Sequence, residues 1–290
     1  MAVPWKVVLL AVFIHTLWGG NIIAIKFGLL VFPPLWSAFW RFLLGAVCLF
    51  LWARFTGVPV LPRRGEWRGL LLLGLMFTVQ VWAMNLGIDL TTGAMAAVLA
   101  ATNPLFGALL AHYFIPSDRL TPVRGMGLLL AFAGVALLFL NDGGDFLQGS
   151  TRLGNLVLLG SSALLGARLI FTSALVRRIE PTRVMLWQMI LALPFFALAG
   201  GALEQVRWEA LAWPPVLGIA YQGIVVAGFA FMVNATLLKR YSPTVVIGFN
   251  FVSPLSGVWL SSLLLFEHIS WTLLAGLFTV ALGLILINRK

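Results

Sequence analysis

The sequence predicts an all-α integral membrane protein whose ten transmembrane helices form two inverted five-helix repeats around a central cavity. Of its 290 residues, 61% are hydrophobic and only 10% are charged, with a mean hydropathy of +1.02, whereas soluble domains average about 25% charged residues. Apolar runs of 18 or more residues recur along the whole chain, and such runs are long enough to cross a bilayer as helices. They lack the period-two alternation of barrel strands. A third observation, an internal repeat, predicts the arrangement.

Charges and turn residues divide the chain into ten apolar spans. The stretch FPPLW at 32–36 breaks the first two spans apart, because proline cannot continue a helix and restricts the residue before it. The polar stretch at 141–152 is the natural midpoint. We therefore expect a first repeat at 6–141, a connecting loop at 142–152 and a second repeat at 153–288. The predicted spans are 6–30, 34–54, 67–89, 92–115, 122–141, 153–176, 183–202, 213–236, 244–266 and 270–288.

The net charge of +10 has a topological explanation. With the N-terminus inside, fourteen basic residues fall in cytoplasmic segments, and only Arg152 and Arg207 fall in segments on the opposite side. Cytoplasmic loops of membrane proteins carry such an excess. We therefore expect both termini in the cytoplasm, an uncleaved first span rather than a signal peptide, and no nucleic-acid partner. Cys48 is the only cysteine, so no intramolecular disulfide or cysteine metal cluster can form.

The two halves resemble each other at an offset near 149 residues. DRLTPVRGMGLLLAFAG begins at Asp118, and EHISWTLLAGLFTVALG begins at Glu267, with two glycines in step. TNPLFGALL at 102–110 faces VSPLSGVWL at 252–260, and Pro33 faces Pro181 at an offset of 148. Because each half has five spans, the second half enters the membrane from the opposite side. Inverted repeats are a transporter architecture, since two equivalent halves can exchange conformations around one site.

The residues also carry a family resemblance. WGGNIIAIKFG, followed by PPLWSAFWRF, at 18–42 is similar to the opening of an EamA-type unit: Trp-Gly, a basic residue, a proline and an arginine with aromatic neighbours. The glycines of the fifth and tenth spans also fit. The chain therefore resembles the ten-helix EamA branch of the drug/metabolite transporter superfamily, and within it the YddG-like aromatic amino acid exporters. The resemblance implies a bacterial inner-membrane exporter whose spans one, three, four, six, eight and nine surround the cavity. The second half departs from the pattern at the same offset of 148, with Gly166 at the place of Trp18 and Met189 at the place of Arg41.

Three charged residues lie toward the outer ends of the first three spans. Lys26 and Arg41 would face Asp89, either as a structural ion pair or snorkelling groups, or as an outer gate that breaks and re-forms. Arg168 lies deeper, in span six. A charged side chain in a span costs about 2.5–3.5 kcal/mol and needs a partner or a wet cavity. Arg168 would bind a substrate carboxylate, or else pack against backbone carbonyls or snorkel.

Neutral polar residues concentrate in spans one, three, four, eight and nine, as expected for helices that line a cavity. Singly, each is a plausible interhelical hydrogen bond worth about 0.6 kcal/mol. His15 would serve proton coupling or a helix contact, and Trp18 and Trp82 would offer ring faces to an aromatic or cationic ligand or simply pack. The candidate substrate-binding residues are His15, Trp18, Asn21, Gln80, Trp82, Asn85, Asn103, Arg168, Gln222 and Asn250.

Several motifs are missing from the sequence. It contains no Walker A loop, no H-E-x-x-H motif and no pair of intramembrane aspartates, and GSSALLG at 160–166 lacks the spacing of a nucleophile elbow. We therefore expect no enzymatic activity, no metal and no cofactor. The leading hypothesis is an alternating-access exporter of amino acids, a monomer or weak homodimer in lipid. Alternatives are export of lipophilic cations or drugs, exchange of nucleotide sugars or phosphorylated metabolites, and an integral membrane enzyme or scaffold.

Overall fold

The described residues fold into helices joined by short loops. The computed structural model describes residues 5–114, 121–141, 149–233, 237 and 252–287, and within these ranges no strand occurs. A π-helical segment, Tyr221–Ala230, follows α9, and single 3₁₀ turns form at Arg64–Glu66 and Trp208–Ala210. The α-helices are α1 Trp5–Leu29, α2 Pro34–Thr56, α3 Trp67–Leu90, α4 Gly93–Ala100, α5 Asn103–Phe114, α6 Pro122–Asn141, α7 Gly149–Val176, α8 Pro181–Leu203, α9 Trp213–Ala220, α10 Val252–Leu264 and α11 Trp271–Ile287.

Proline and glycine set several helix ends. Pro34 is the first residue of α2 and Pro181 the first of α8, a position where the missing N–H costs nothing. Gly57 ends α2 with φ of 70°, and its N–H donates to the carbonyl of Ala53, which is the left-handed cap that glycine adopts without strain. These residues therefore set where α2 and α8 begin and where α2 ends.

Among the described residues, seven helical stretches are long and apolar enough to cross a membrane. Three shorter apolar helices, within α6, α10 and α11, occupy the remaining predicted spans in the described part of the chain. The prediction of an all-helical multi-pass membrane protein is confirmed. That all ten segments cross the bilayer stays a prediction.

Two spans depart from a regular α-helix. The predicted span 92–115 divides into α4 and α5, and at the break the Thr102 hydroxyl and the Asn103 amide donate to the carbonyls of Leu99 and Ala100. The span that begins at Trp213 changes to π-helical geometry at Tyr221. π-Helical turns are often found at functional sites.

Equivalent helices of the two halves pack antiparallel. Trp36 on α2 packs against Gly200 on α8, whereas Gly45, further along α2, packs near Met189, which comes earlier on α8. Helices α6 and α11 cross in the same way, through closely packed small residues. Gly127 and Gly134 thus form a contact within the chain, a close approach of the kind that small residues permit. In these two pairs, each helix therefore runs in the direction opposite to its counterpart.

Close glycine contacts fix the register between the halves. A Cβ on Gly19 of α1 would lie 2.8 Å from the nitrogen of Gly257, and a Cβ on Gly166 of α7 would lie 2.7 Å from the nitrogen of Gly107. Gly166 is therefore the counterpart of Gly19, at an offset of 147. The predicted matches of Gly166 with Trp18 and of Pro33 with Pro181 are wrong by one residue, because it is Pro34 that begins α2 as Pro181 begins α8.

Candidate functional site

Within the part of the chain that the structure describes, several buried polar atoms lack a hydrogen-bond partner. They are Trp18 Nε1, Asn21 Oδ1, Ser37 Oγ, Arg41 Nε and Nη1, Asn85 Oδ1, Asn155 Nδ2, Arg168 Nε and Gln222 Oε1. An unsatisfied buried donor or acceptor costs about 1–3 kcal/mol, so a native structure retains such groups where a ligand, a water or another conformation satisfies them. Two arginines supply three of these atoms.

Arg168 lies on α7 with only 8% of its surface exposed. Its Nη1 donates to Oε1 of Gln188 on α8 at 2.9 Å, and its guanidinium lies 4.9 Å from the centre of the Phe77 ring on α3. Gln188 is itself held, because its Nε2 donates to Sδ of Met185 at 3.1 Å. The amide and the ring face orient the guanidinium and leave its Nε without a partner.

Arg41 lies on α2 and is 4% exposed. Its guanidinium is 4.8 Å from the centre of the Phe42 ring and close enough to Arg168 that the two positive charges repel each other. Within the described residues, neither guanidinium has a carboxylate in ion-pair contact. The phenyl rings of Phe42 and Phe77 meet edge to face, 4.6 Å apart, beside both arginines. We call Arg41 and Arg168 the guanidinium pair.

The corrected register relates the guanidinium pair to two amides. At an offset of 147, Asn21 on α1 corresponds to Arg168, and Arg41 on α2 corresponds to Gln188. Each half thus supplies one guanidinium and one amide from its first two helices, in exchanged order. The predicted match of Arg41 with Met189 is wrong, and Gln188 is absent from the predicted site residues because of that one-residue shift.

The first helix meets the π-helical segment through polar contacts. The Tyr221 hydroxyl donates to the carbonyl of Leu17 at 2.8 Å, and Gln222 Nε2 donates to the carbonyl of Ala24 at 2.9 Å. Trp18 lies edge-on to His15, 4.9 Å between ring centres, and 6.5 Å from Phe231. His15 is 1% exposed and its Nδ1 bonds the carbonyl of Ala11. His15 and Trp18 therefore lie together where α1 packs against the span that contains Gln222. His15 is buried there and Trp18 is partly buried.

Three predicted amides bind other helices or their own. Gln80 on α3 and Ser161 on α7 exchange two hydrogen bonds, at 3.1 and 2.9 Å. Asn85 Nδ2 donates to the carbonyl of Pro34 at 2.9 Å and keeps a buried Oδ1 without a partner. Asn103 caps the carbonyl of Ala100. Gln80 and Asn103 have the hydrogen bonds expected of structural groups, whereas Asn85 retains a free acceptor.

Two further candidates lie away from this cluster or cannot be placed. Trp82 is 39% exposed and shares the exposed apolar stripe of α3 with Leu75 and Val79. The structure therefore does not bring it together with the buried arginines. Asn250 lies outside the described residues.

The predicted outer gate is only partly assembled. Lys26 Nζ lies 3.4 Å from the peptide carbonyl of Asp89, and the Asp89 carboxylate interacts electrostatically with Lys26 and Arg207. Arg41 does not join them: it lies deeper, beside Arg168. The expectation that Arg41 faces Asp89 is wrong, because Arg41 begins the third turn of α2 and its side chain is buried between helices.

Loop acids hold the start of α2 and of α8. Glu204, just after α8, accepts hydrogen bonds from the N–H groups of Leu35 and Trp36 at 2.9–3.1 Å, a favourable place for a carboxylate because of the helix dipole. Glu66, before α3, binds Arg183 in the first turn of α8 at 2.8 Å. Each half therefore clamps the second helix of the other half.

The Glu204 carboxyl is the clamp group whose pKa is raised. Burial raises its pKa above the ordinary value, and the hydrogen bonds from Leu35 and Trp36 oppose that shift without cancelling it.

At the other clamp, a surface cleft is lined by Gly57, Val58, Pro59, Arg63, Glu66, Arg178, Glu180 and Arg183. This cleft lies in the loops, away from the guanidinium pair. Among the described residues, no group of three or more metal-ligating side chains occurs.

Residues 5–140 and 152–289 each match the EamA-like transporter family. The chain belongs to this family. As an EamA-type protein with many apolar helices, it is a multi-pass membrane transporter of the drug/metabolite kind. The resemblance to the EamA branch noted from the sequence is confirmed.

Relatives of the EamA-type chain carry transporter names. An uncharacterized transporter of Archaeoglobus fulgidus is 26% identical over 82% of this chain and 82% of its own. A probable amino-acid metabolite efflux pump of Escherichia coli is 26% identical over 95% of this chain and 92% of its own. A crystal structure with 21% identity covers 96% of this chain and 94% of its own with a TM-score of 0.72, which shows the shared fold.

Proposed function

We propose that this EamA-type protein is an alternating-access exporter of amino acids and related small metabolites. The guanidinium pair carries the proposal, because two buried arginines with three unpartnered donors suit the carboxylate that every amino acid presents. The name of the Escherichia coli relative supports the same substrate class. The phenyl rings of Phe42 and Phe77 beside the pair support a preference for aromatic or hydrophobic side chains.

The mirrored pairs suggest how the site alternates. In the second half Arg168 is joined to Gln188, whereas in the first half Asn21 Oδ1 and two nitrogens of Arg41 lack partners. Antiparallel, equivalent halves can exchange conformations. In the opposite state, Arg41 would bind Asn21 while Arg168 leaves Gln188. The substrate carboxylate would bridge the two guanidinium groups as one half releases its amide and the other captures its own.

We place the protein in the bacterial inner membrane as ten spans, with both termini cytoplasmic. The repeats are 6–141 and 153–288, joined by 142–152. The charge bias of the loops supports the orientation, and the antiparallel counterparts support the inversion.

The protein would act without covalent chemistry or cofactor, as a monomer or weak homodimer in lipid. Besides the guanidinium pair, the substrate-contacting set would include Asn21, Trp18 and Asn85, which keep unpartnered buried atoms. Lys26 and Asp89 would form the outer gate.

The alternative substrate classes differ in how well they would bind beside the guanidinium pair. Two buried positive charges repel a lipophilic cation, so cation or drug export is disfavoured. Exchange of phosphorylated metabolites is the second candidate, because the structure brings two basic side chains together at the site where the sequence predicted one.

Uptake into proteoliposomes tests the proposed function. Purified protein is reconstituted with an unlabelled amino acid inside, and entry of labelled amino acids is followed against protein-free vesicles. Saturable uptake of an aromatic amino acid that exceeds uptake of a sugar phosphate supports the proposal. Saturable uptake of the sugar phosphate alone would favour the second candidate, and an absence of saturable uptake from folded protein would contradict transport of this panel.

A further inference from the structure

The guanidinium pair is an excess of positive charge in the middle of the helices. Arginine remains protonated in proteins, and both side chains are more than nine-tenths buried. Burying such charges without counter-charges is strongly unfavourable. A ligand that brings negative charge therefore gains more at this site than a neutral ligand would.

None of the acidic residues that the structure describes is in ion-pair contact with the guanidinium pair. The described ones lie in loops, at helix ends or in the two clamps: Glu66, Asp89, Glu180, Glu204, Glu209 and Glu267. The remaining three occur in the sequence between predicted spans, at 118, 142 and 145. An ammonium group bound beside the guanidinium pair would add a third positive charge, and none of the described acids is placed to pair with it.

The free donors and their surroundings favour a carboxylate over a phosphate ester. The pair has three buried donors without partners, Arg41 Nε, Arg41 Nη1 and Arg168 Nε. The two oxygens of one carboxylate can accept three hydrogen bonds. Phe42 and Phe77 occupy the adjoining space and give an apolar surface to whatever follows the carboxylate. A phosphate dianion would bring more acceptors than these free donors can fill.

We propose that the guanidinium pair makes the protein a carrier of organic monocarboxylates, in which an α-amino group is dispensable. This inference rests on the proposed transport function and narrows its substrate class. Hydroxy acids with an apolar or aromatic side chain fit the site as well as, or better than, the amino acids of the same shape. Amines that lack the carboxylate do not fit.

A matched series of phenyl compounds tests the proposal. L-Phenylalanine is a zwitterion, phenyllactate has a hydroxyl in place of the amino group, and phenethylamine lacks the carboxylate. Phenyl phosphate carries a phosphate ester on the ring and has neither an amine nor a carboxylate. Each compound competes against labelled phenyllactate uptake in proteoliposomes, and each is tested for thermal stabilisation of the purified protein. We expect phenyllactate to bind at least as tightly as phenylalanine, and phenethylamine about tenfold or more weaker than either.

Variants assign the preference to the guanidinium pair. R41Q and R168Q should each lower the affinity for phenyllactate about tenfold or more and erase its advantage over phenethylamine. R54Q removes an exposed arginine from the last turn of α2 and should leave both unchanged. A thermal melt of each variant without ligand shows whether it is folded, and the ratio of the two affinities is compared only among folded variants.

The outcomes separate the two proposals. Phenylalanine uptake with no binding of phenyllactate would overturn the inference and leave the proposed function standing, as would a preference for phenyl phosphate among competitors of phenylalanine uptake. Stabilisation by phenyllactate without uptake would support the binding site and contradict transport. Neither stabilisation nor uptake with any of the four compounds would overturn the inference.

Discussion

The two halves of the chain hold the same functional groups in different states. In the second half a guanidinium and an amide are joined, Arg168 to Gln188 at 2.9 Å. In the first half the equivalent groups, Arg41 and Asn21, keep buried atoms without partners. The backbone contacts around them are nevertheless mirrored, as the glycine contacts of α1 and α7 show. A shared scaffold with one joined and one separated pair is what a two-state carrier requires, since each half must be able to adopt the conformation of the other.

Filling the mirrored glycine contacts should have the largest effect. G19A and G166A each place a Cβ within 2.8 Å of backbone on the facing helix, so each should lower the free energy of unfolding by about 2–3 kcal/mol. Thermal melts of the purified variants measure this loss. G160A is the control, because nothing lies within 4 Å of a Cβ at Gly160 on the same α7. A neutral G166A beside a destabilised G19A would break the mirror relation.

Removing the amide should cost more stability in the joined pair, Arg168 with Gln188, than in the open pair, Arg41 with Asn21. Q188L leaves Arg168 Nη1 buried without its acceptor, so it should destabilise this state by about 1–2 kcal/mol. N21L removes an Oδ1 that has no partner and should cost less stability. In the proposed alternation each amide serves one of two states, so both variants should impair transport. Equal melting temperatures for the two variants would contradict the difference between the halves.

The Glu204 clamp should give the smallest effect, in the pH dependence of stability. Because the folded-state pKa of Glu204 is raised, its favourable contribution is present below the ordinary glutamate pKa and is lost as pH rises through the raised value. Wild-type protein should therefore lose stability relative to E204Q over this mildly acidic range. Parallel stability profiles for wild type and E204Q would show that burial does not control this carboxyl.

Much of the fold follows from hydropathy and from the helix-breaking residues between the apolar runs. Spans such as 34–54 and 67–89 agree closely with α2 and α3, because long apolar runs bounded by proline and charge leave little choice. The break between α4 and α5 and the π-helical segment gave no such signal. Both lie in stretches that are apolar on every side, where periodicity does not separate one backbone geometry from another.

The candidate site was harder to predict because it joins distant parts of an inverted chain. Arg41 and Arg168 are 127 residues apart, and only the antiparallel packing of the halves brings them together. The double proline at Pro33 and Pro34 also allowed two alignments. The wrong one matched Arg41 with Met189 and hid its relation to Gln188. Arg168, by contrast, was predicted from its depth in an apolar span, since a buried charge requires a partner.

A structure of the protein with bound phenyllactate tests the central claim most directly. Our account predicts that the carboxylate lies within hydrogen-bond distance of both Arg41 and Arg168, with the phenyl ring against Phe42 and Phe77. It also predicts that at most one of the two guanidinium–amide pairs is joined. A ligand seated elsewhere with Arg168 still bound to Gln188, or both pairs joined at once, would contradict the account.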